Sequence, residues 1–291
     1  MNRILVGVDD SPAAQSALEW SARLATRGDL DLVVARVFVS PQAELPPEED
    51  ALLHDEQRAE LDQWCSALGD ETLRARTLLI DGDPRVELLS AAHGQHADML
   101  VVGGGDAVRH SHVPLSSVAH HLAHHTTMPL AIVPAGSASA AEHVVLGVNG
   151  SRGSLVAAEF CAELASSLAM TVTAVYAFEP FVADWVGSNS RSWERQAETD
   201  ARTWAAPVER AGLRLDVDVD RDIHPVAAMT RALSPQRGSV AVVGSHSHGG
   251  LIDPHFGSVP LRLLHDTDAA VIVVPTRERV SSKGSRVSSK V

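Results

Sequence analysis

Two stretches of this sequence put small and hydroxylated residues where they could hold an anion. One begins at Gly103 and reaches Ser116 and Ser117; the other begins at Gly244 and reaches Gly257 and Ser258. Each follows a short apolar run and leads into a helix-like segment. Glycine lets a backbone approach a phosphate closely, and a helix starting just beyond offers unpaired N–H groups and the positive end of its dipole. Ser117 or Ser258 would add a hydroxyl and an amide. Two further turns, Asp9-Asp10-Ser11 and Asn149-Gly150-Ser151, also follow apolar runs and belong at the same end of a sheet. The chemistry on offer is anion binding without a lysine.

Lysine is in fact confined to the last residues. Lys283 and Lys290 are the only two in the 291-residue chain. A P-loop needs its lysine on the phosphates, and a pyridoxal enzyme needs one for its Schiff base, so both classes fall. Cys65 and Cys161 are too far apart for CxxC chemistry and read as packing residues. The net charge is −13, which argues against a general binder of DNA or RNA. No apolar run reaches the length of a membrane span, and the N-terminus lacks a long apolar signal segment, so a soluble cytoplasmic protein is expected. Residues 277–291, RERVSSKGSRVSSKV, are basic and Ser-rich and are expected to be disordered.

Other candidates have a bland reading beside the sharp one. His120, His121, His124 and His125 form i, i+4 pairs that could ligate a metal, yet no nearby carboxylate completes a set, and a solvated helix face is the commoner use. His110 and His112 read as polar loop residues. Asp9 and Asp10 could act as a catalytic pair, but an acidic turn before Ser11-Pro12 more often caps a helix. Trp185, Trp193 and Trp204 read as helix packing, with a lid or partner surface as the alternative. The acidic, Pro-rich loop SPQAELPPEED reads as solvated.

The elements that position these residues come in two copies. RILVGVDDSPAAQSALEWSARLA from Arg3 matches HVVLGVNGSRGSLVAAEFCAELA from His143, and PLAIVP ending at Pro134 matches AVIVVP ending at Pro275. A period this long makes each copy a domain rather than a solenoid repeat. The expected units are residues 1–138 and 139–276. Strands are expected near Ile4–Val8, Leu32–Val39, Arg74–Ile80, Met99–Val102 and Leu130–Val133, and again near Val144–Val148, Thr171–Ala177, Arg214–Val219, Val240–Val243 and Ala270–Val274. In the first copy, helices are expected near Pro12–Thr26, Asp50–Leu68, Pro84–His96 and Ser116–Thr126. Runs apolar at every position suit strands covered on both faces, so each copy should be a doubly wound, five-stranded parallel α/β sheet.

From residue 3 to 275 the chain resembles the universal stress protein family in its tandem form. Nucleotide-binding members carry glycine, two residues, glycine, nine residues, then glycine and serine or threonine. The second copy matches as Gly244, Ser247, Gly257 and Ser258, with only the middle glycine changed. The first reads Gly103, Asp106, Ser116 and Ser117, with two glycines replaced. The resemblance implies an adenine nucleotide α-hydrolase-like fold, strand order 3-2-1-4-5, with the domains meeting along their last strands as an intrachain pseudo-dimer; a further homodimer is optional. It implies ATP as ligand, with Mg2+ as an accompanying ion, and adenine against Val37 or Ala177. It carries the family aspartate onto Asp9, replaced in the second copy by Asn149.

An ionised Asp106 beside a triphosphate would oppose binding by ~1 to 4 kcal/mol, so the second copy is expected to bind more tightly. The implied role is a cytoplasmic, nucleotide-dependent sensor or regulator acting on an unknown protein partner, without catalysis beyond slow ATP hydrolysis. The alternative is a scaffold that has lost nucleotide binding. An ATP pyrophosphatase is disfavoured because neither first turn carries an SGGxDS-type sequence, and a Rossmann dehydrogenase because G-x-G-x-x-G is missing there.

Overall fold

A computed structural model describes residues 1–39, 46–69, 72–105, 115–137, 139, 141–178, 190–221, 224–233, 238–245 and 257–276. The first half contains β1 (Arg3–Val8), α1 (Pro12–Gly28), β2 (Asp31–Phe38), α2 (Pro47–Ala67), β3 (Ala75–Asp81), α3 (Pro84–Gly94), β4 (Met99–Gly103), α4 (Ser117–His125) and β5 (Leu130–Val133). The second contains β6 (His143–Gly147), α5 (Arg152–Leu168), β7 (Thr171–Phe178), α6 (Ser190–Trp204), α7 (Ala206–Arg210), β8 (Leu215–Arg221), α8 (Pro225–Leu233), β9 (Ser239–Gly244), α9 (Ser258–Asp266) and β10 (Ala270–Val274).

All ten strands join one sheet in the order β3-β2-β1-β4-β5-β10-β9-β6-β7-β8. Each half has the expected order 3-2-1-4-5, and pairing is parallel within it. The halves meet where β5 and β10 pair antiparallel, Val271 opposite Ile132 and Val273 opposite Leu130. The central strands are buried along almost their whole length because helices cover both faces. One apolar layer lies under α1, α2, α5, α6 and α7; the other lies under α3, α4, α8 and α9.

The first helix of each half starts by the same device. Ser11 accepts from the Ala14 amide at 3.1 Å and Ser151 from the Ser154 amide at 3.2 Å, supplying an acceptor to a first-turn amide that has no intrahelical partner. Both helices end on a left-handed residue, Asp29 at φ 51° and Ala169 at φ 49°. These ends meet across the seam. The Arg27 guanidinium donates to the carbonyls of Ala141 and Ala169, each at 3.0 Å. Gly28 faces Leu168, the residue that replaces it in the repeat; a Cβ there would lie 2.7 Å from a Leu168 methyl. The second helix starts at Pro47 rather than the expected Asp50, since proline suits the first helical position.

Candidate functional site

In the second half a cleft of about 320 Å3 opens at the carboxyl ends of β6, β7 and β9. Because β6 is the first strand of its half and lies between β7 and β9, this is where strand order reverses and open α/β sheets place ligands. Its apolar wall is Val175 and Ala177 from β7, Val243 from β9 and Met229 from α8. Its polar wall comes from Asn149, Ser151, Ser154, His224 and Ser258. Of the residues singled out in the sequence, Asn149, Ala177, Gly244 and Ser258 all line it. Ser151 belongs to the turn already singled out, whereas His224, Met229 and Ser154 are additions from the fold.

The turn after the first strand is held alike in both halves. The Ser11 amide donates to Asp9 Oδ1 at 3.0 Å, and the Ser151 amide donates to Asn149 Oδ1 at 3.1 Å. An amide oxygen therefore does the aspartate's structural work in the second half. Asp10 is engaged elsewhere, pairing at 2.9 Å with the buried Arg36, which also binds Glu60 at 2.8 Å and lies over Trp64. In the second half Tyr176 and Trp204 occupy the sequence positions of Arg36 and Trp64 and pack edge to face with ring centroids 4.9 Å apart. Burial, and then Asp200, push the Tyr176 hydroxyl pKa up.

The loop glycines make room for a neighbouring helix. A Cβ on Gly103 would lie 2.6 Å from the carbonyl carbon of Ala13, and one on Gly244 would lie 2.5 Å from the carbonyl oxygen of Gly153. Each glycine therefore lets the first turn of α1 or α5 rest directly on the end of β4 or β9. Their side-chain space is filled by helix.

The two later helix mouths differ through two linked residues. Ser116 precedes α4 with its side chain accepting from the Ala119 amide at 3.1 Å. Gly257 precedes α9 at nearly the same backbone angles, φ −69° against −53°, so glycine is not there for a left-handed conformation. Pro260 stands where Ala119 stands, without an amide to cap. A capping serine at 257 would find no donor at that place. The first-half mouth is stoppered by its own side chain; the second presents Ser258 and the main chain to the cleft.

The rims also differ in charge. His224 precedes α8, its Nδ1 accepting from the Val226 amide at 3.3 Å, and its Nε2 lies 3.4 Å from the Arg262 guanidinium of α9. Asp83 and His121 take the corresponding positions in the first half. Hydrogen bonds from Arg85, side chain and then backbone, hold the Asp83 carboxyl pKa down at about 2. Burial, then His125 and Arg85, push His121 below the usual imidazole range. A shallow first-half groove of about 660 Å3 runs along Phe38, Asp50, Asp81, Asp83 and Arg85, and its carboxylates make it a poor home for an anion. Val37 is half-buried and packs on the layer beneath α3 and α4.

On α4 the rings of His121 and His125 stack at 4.0 Å, and those of His120 and His124 lie 4.5 Å apart. Among the described residues no group of three or more His, Cys, Asp or Glu is placed to hold a metal. Trp204 packs on Tyr176, whereas Trp193 is exposed. Asp106, His110, His112, Trp185, His246, Ser247, His248, the loop at 40–45 and the segment 277–291 lie outside the described residues. Among the described residues no helix is long and apolar enough to cross a membrane.

The family model for the Universal stress protein family matches this chain twice, over residues 1–134 and 141–275. A universal stress protein of Mycolicibacterium smegmatis is 28% identical over 288 residues, spanning 94% of this chain and 97% of its own. One from Mycobacterium tuberculosis is 29% identical over 279 residues, spanning 88% and 90%. The crystal structure of a universal stress protein from Archaeoglobus fulgidus superposes with a TM-score of 0.71 at 17% identity, covering 95% of this chain and 99% of that one.

Proposed function

The chain belongs to the universal stress protein family, and from that premise we propose that it is a cytoplasmic stress-response regulator that binds adenine nucleotide, with ATP as the ligand, in its second half. The observation that carries the reading is the composition of the cleft between β6, β7 and β9. One apolar strip, Val175, Ala177 and Val243, suits a flat base, and a polar end with Ser258 suits phosphate. Its volume of about 320 Å3 falls at the small end of ligand pockets, about 300–1,000 Å3. It fits a nucleoside with its first phosphate. No carboxylate lines it, so Mg2+ would travel on the nucleotide's own phosphates rather than on the protein.

Hydrolysis would be slow at best. No carboxylate lines the cleft to activate water, the Nδ1 lone pair of its one histidine, His224, is taken by the Val226 amide, and the body of the chain has no lysine. Binding would act by changing which protein partner the molecule meets. The first half has the features of the alternative, a scaffold without nucleotide: Ser116 closes its own helix mouth, and an ionised Asp83 sits at its rim.

The test is to denature the purified full chain, identify released nucleotide by mass, and titrate stripped protein with ATP and AMP. One nucleotide per chain, abolished by Ala177→Trp, supports the reading. Two per chain, or binding unchanged when the cleft is filled, refutes it.

A further inference from the structure

We propose that Arg262 and His224 form an anion clip on the rim of the second-half cleft, which makes the site select phosphorylated ligands over the bare nucleoside. The inference rests on the nucleotide reading for the ligand's identity but not for the clip itself. The argument is a count of donors and acceptors. His224 Nδ1 accepts from the Val226 amide, so a neutral ring carries its hydrogen on Nε2. That N–H then faces the Arg262 guanidinium at 3.4 Å, and guanidinium has donors only. With the other tautomer, Nε2 accepts from Arg262 and the Val226 amide loses its acceptor. In either state the Val226 amide, the Arg262 guanidinium and the ring's own N–H make three donors against the ring's single lone pair. An oxyanion oxygen set between His224 and Arg262 relieves the mismatch, and a guanidinium prefers such a partner.

Among the described residues no carboxylate pairs with Arg262, unlike Arg231 on the neighbouring helix, which is held by Asp218 and Asp220. The guanidinium is therefore not neutralised by a described neighbour. The clip sits on the same rim as Ser258, one helical turn earlier on α9. The first half carries the opposite arrangement at these positions, with Asp83 where His224 stands.

The experiment titrates the full chain calorimetrically with inorganic triphosphate, AMP and adenosine, as wild type, Arg262→Gln and Arg262→Lys. Arg262 lies on an exposed helix face, so both variants should fold. Arg262→Gln is expected to weaken triphosphate and AMP about tenfold, as for a partly solvated charge-assisted contact, and to leave adenosine within about twofold. Arg262→Lys should recover part of the loss. Triphosphate affinity unchanged by Arg262→Gln, or undetectable in the wild type, overturns the clip. Wild-type protein that binds triphosphate through Arg262 but ignores AMP and adenosine keeps the clip and overturns the adenine reading instead.

Discussion

Replacing Gly244 with alanine separates two explanations of a glycine at the end of β9. If the residue serves a phosphate, a methyl group there would harm binding and leave the fold alone. The geometry predicts the reverse priority. The added Cβ would sit 2.5 Å from the Gly153 carbonyl oxygen and 2.8 Å from its Cα, when ordinary contact starts near about 3.5 Å. Both are backbone atoms in the first turn of α5, so no side chain can swing away. The helix start must move by several tenths of an ångström, and overpacking of this kind costs about 1–3 kcal/mol. Alanine returns about 0.4–1 kcal/mol by restricting the unfolded chain. The net loss is about 1–2 kcal/mol, or roughly 2–3 °C in Tm for a chain of this size. Differential scanning calorimetry of the unliganded protein reads it directly, and Gly103→Ala, with backbone atoms of Ala13 and Ala14 at 2.6 and 2.7 Å, should behave alike. An unchanged Tm in both variants, alongside lost nucleotide affinity, would refute the packing argument.

Three other perturbations test different parts of the molecule. Arg36→Ala removes two ion pairs and the stack on Trp64 from a buried position, and should cost about 2 kcal/mol in urea unfolding. Arg36→Tyr, copying Tyr176, should cost less, and equal losses would contradict the exchange of one aromatic partner for another. Burial pushes the Cys161 thiol up to about 12 and raises Cys65, the latter also through Asp62. At pH 8 both thiolates are therefore scarce, so mass spectrometry after iodoacetamide should find slow labelling at Cys65 and none at Cys161 before unfolding. Rapid labelling of Cys161 would mean the helix is not packed as described. Arg27→Met should lower the stability of the intact chain by about 1 kcal/mol, through the two carbonyls it ties across the seam; an unshifted denaturation midpoint would assign that contact no weight.

The duplication, the strand runs and the first helix starts were open to reading from local pattern. Uninterrupted apolar stretches such as ILVGV can only be buried on both faces, and Ser11-Pro12 signals its own helix. What escaped was whatever depends on residues brought together from distant elements. The Arg262 guanidinium meets His224 across 38 residues, and no periodicity announces that meeting. A comparison of the copies at His224-Pro225 and Asp83-Pro84 would have exposed the replacement of a carboxylate by an imidazole. The packing role of the glycines escaped for a related reason. A sequence shows that a side chain is missing but not which neighbour claims the space, and at Gly103 and Gly244 the first turn of a helix claims it. Ser116 and Gly257, with Ala119 and Pro260 beside them, also begin their helices in two different ways, a pairing that neither position shows alone.

The antiparallel meeting of β5 and β10 turns the strand ends of one half toward one edge of the slab and those of the other half toward the opposite edge. A visitor sitting on the Ser258 side thus faces away from the Ser117 side, and no single small molecule can bridge them. Each edge answers to its own surroundings.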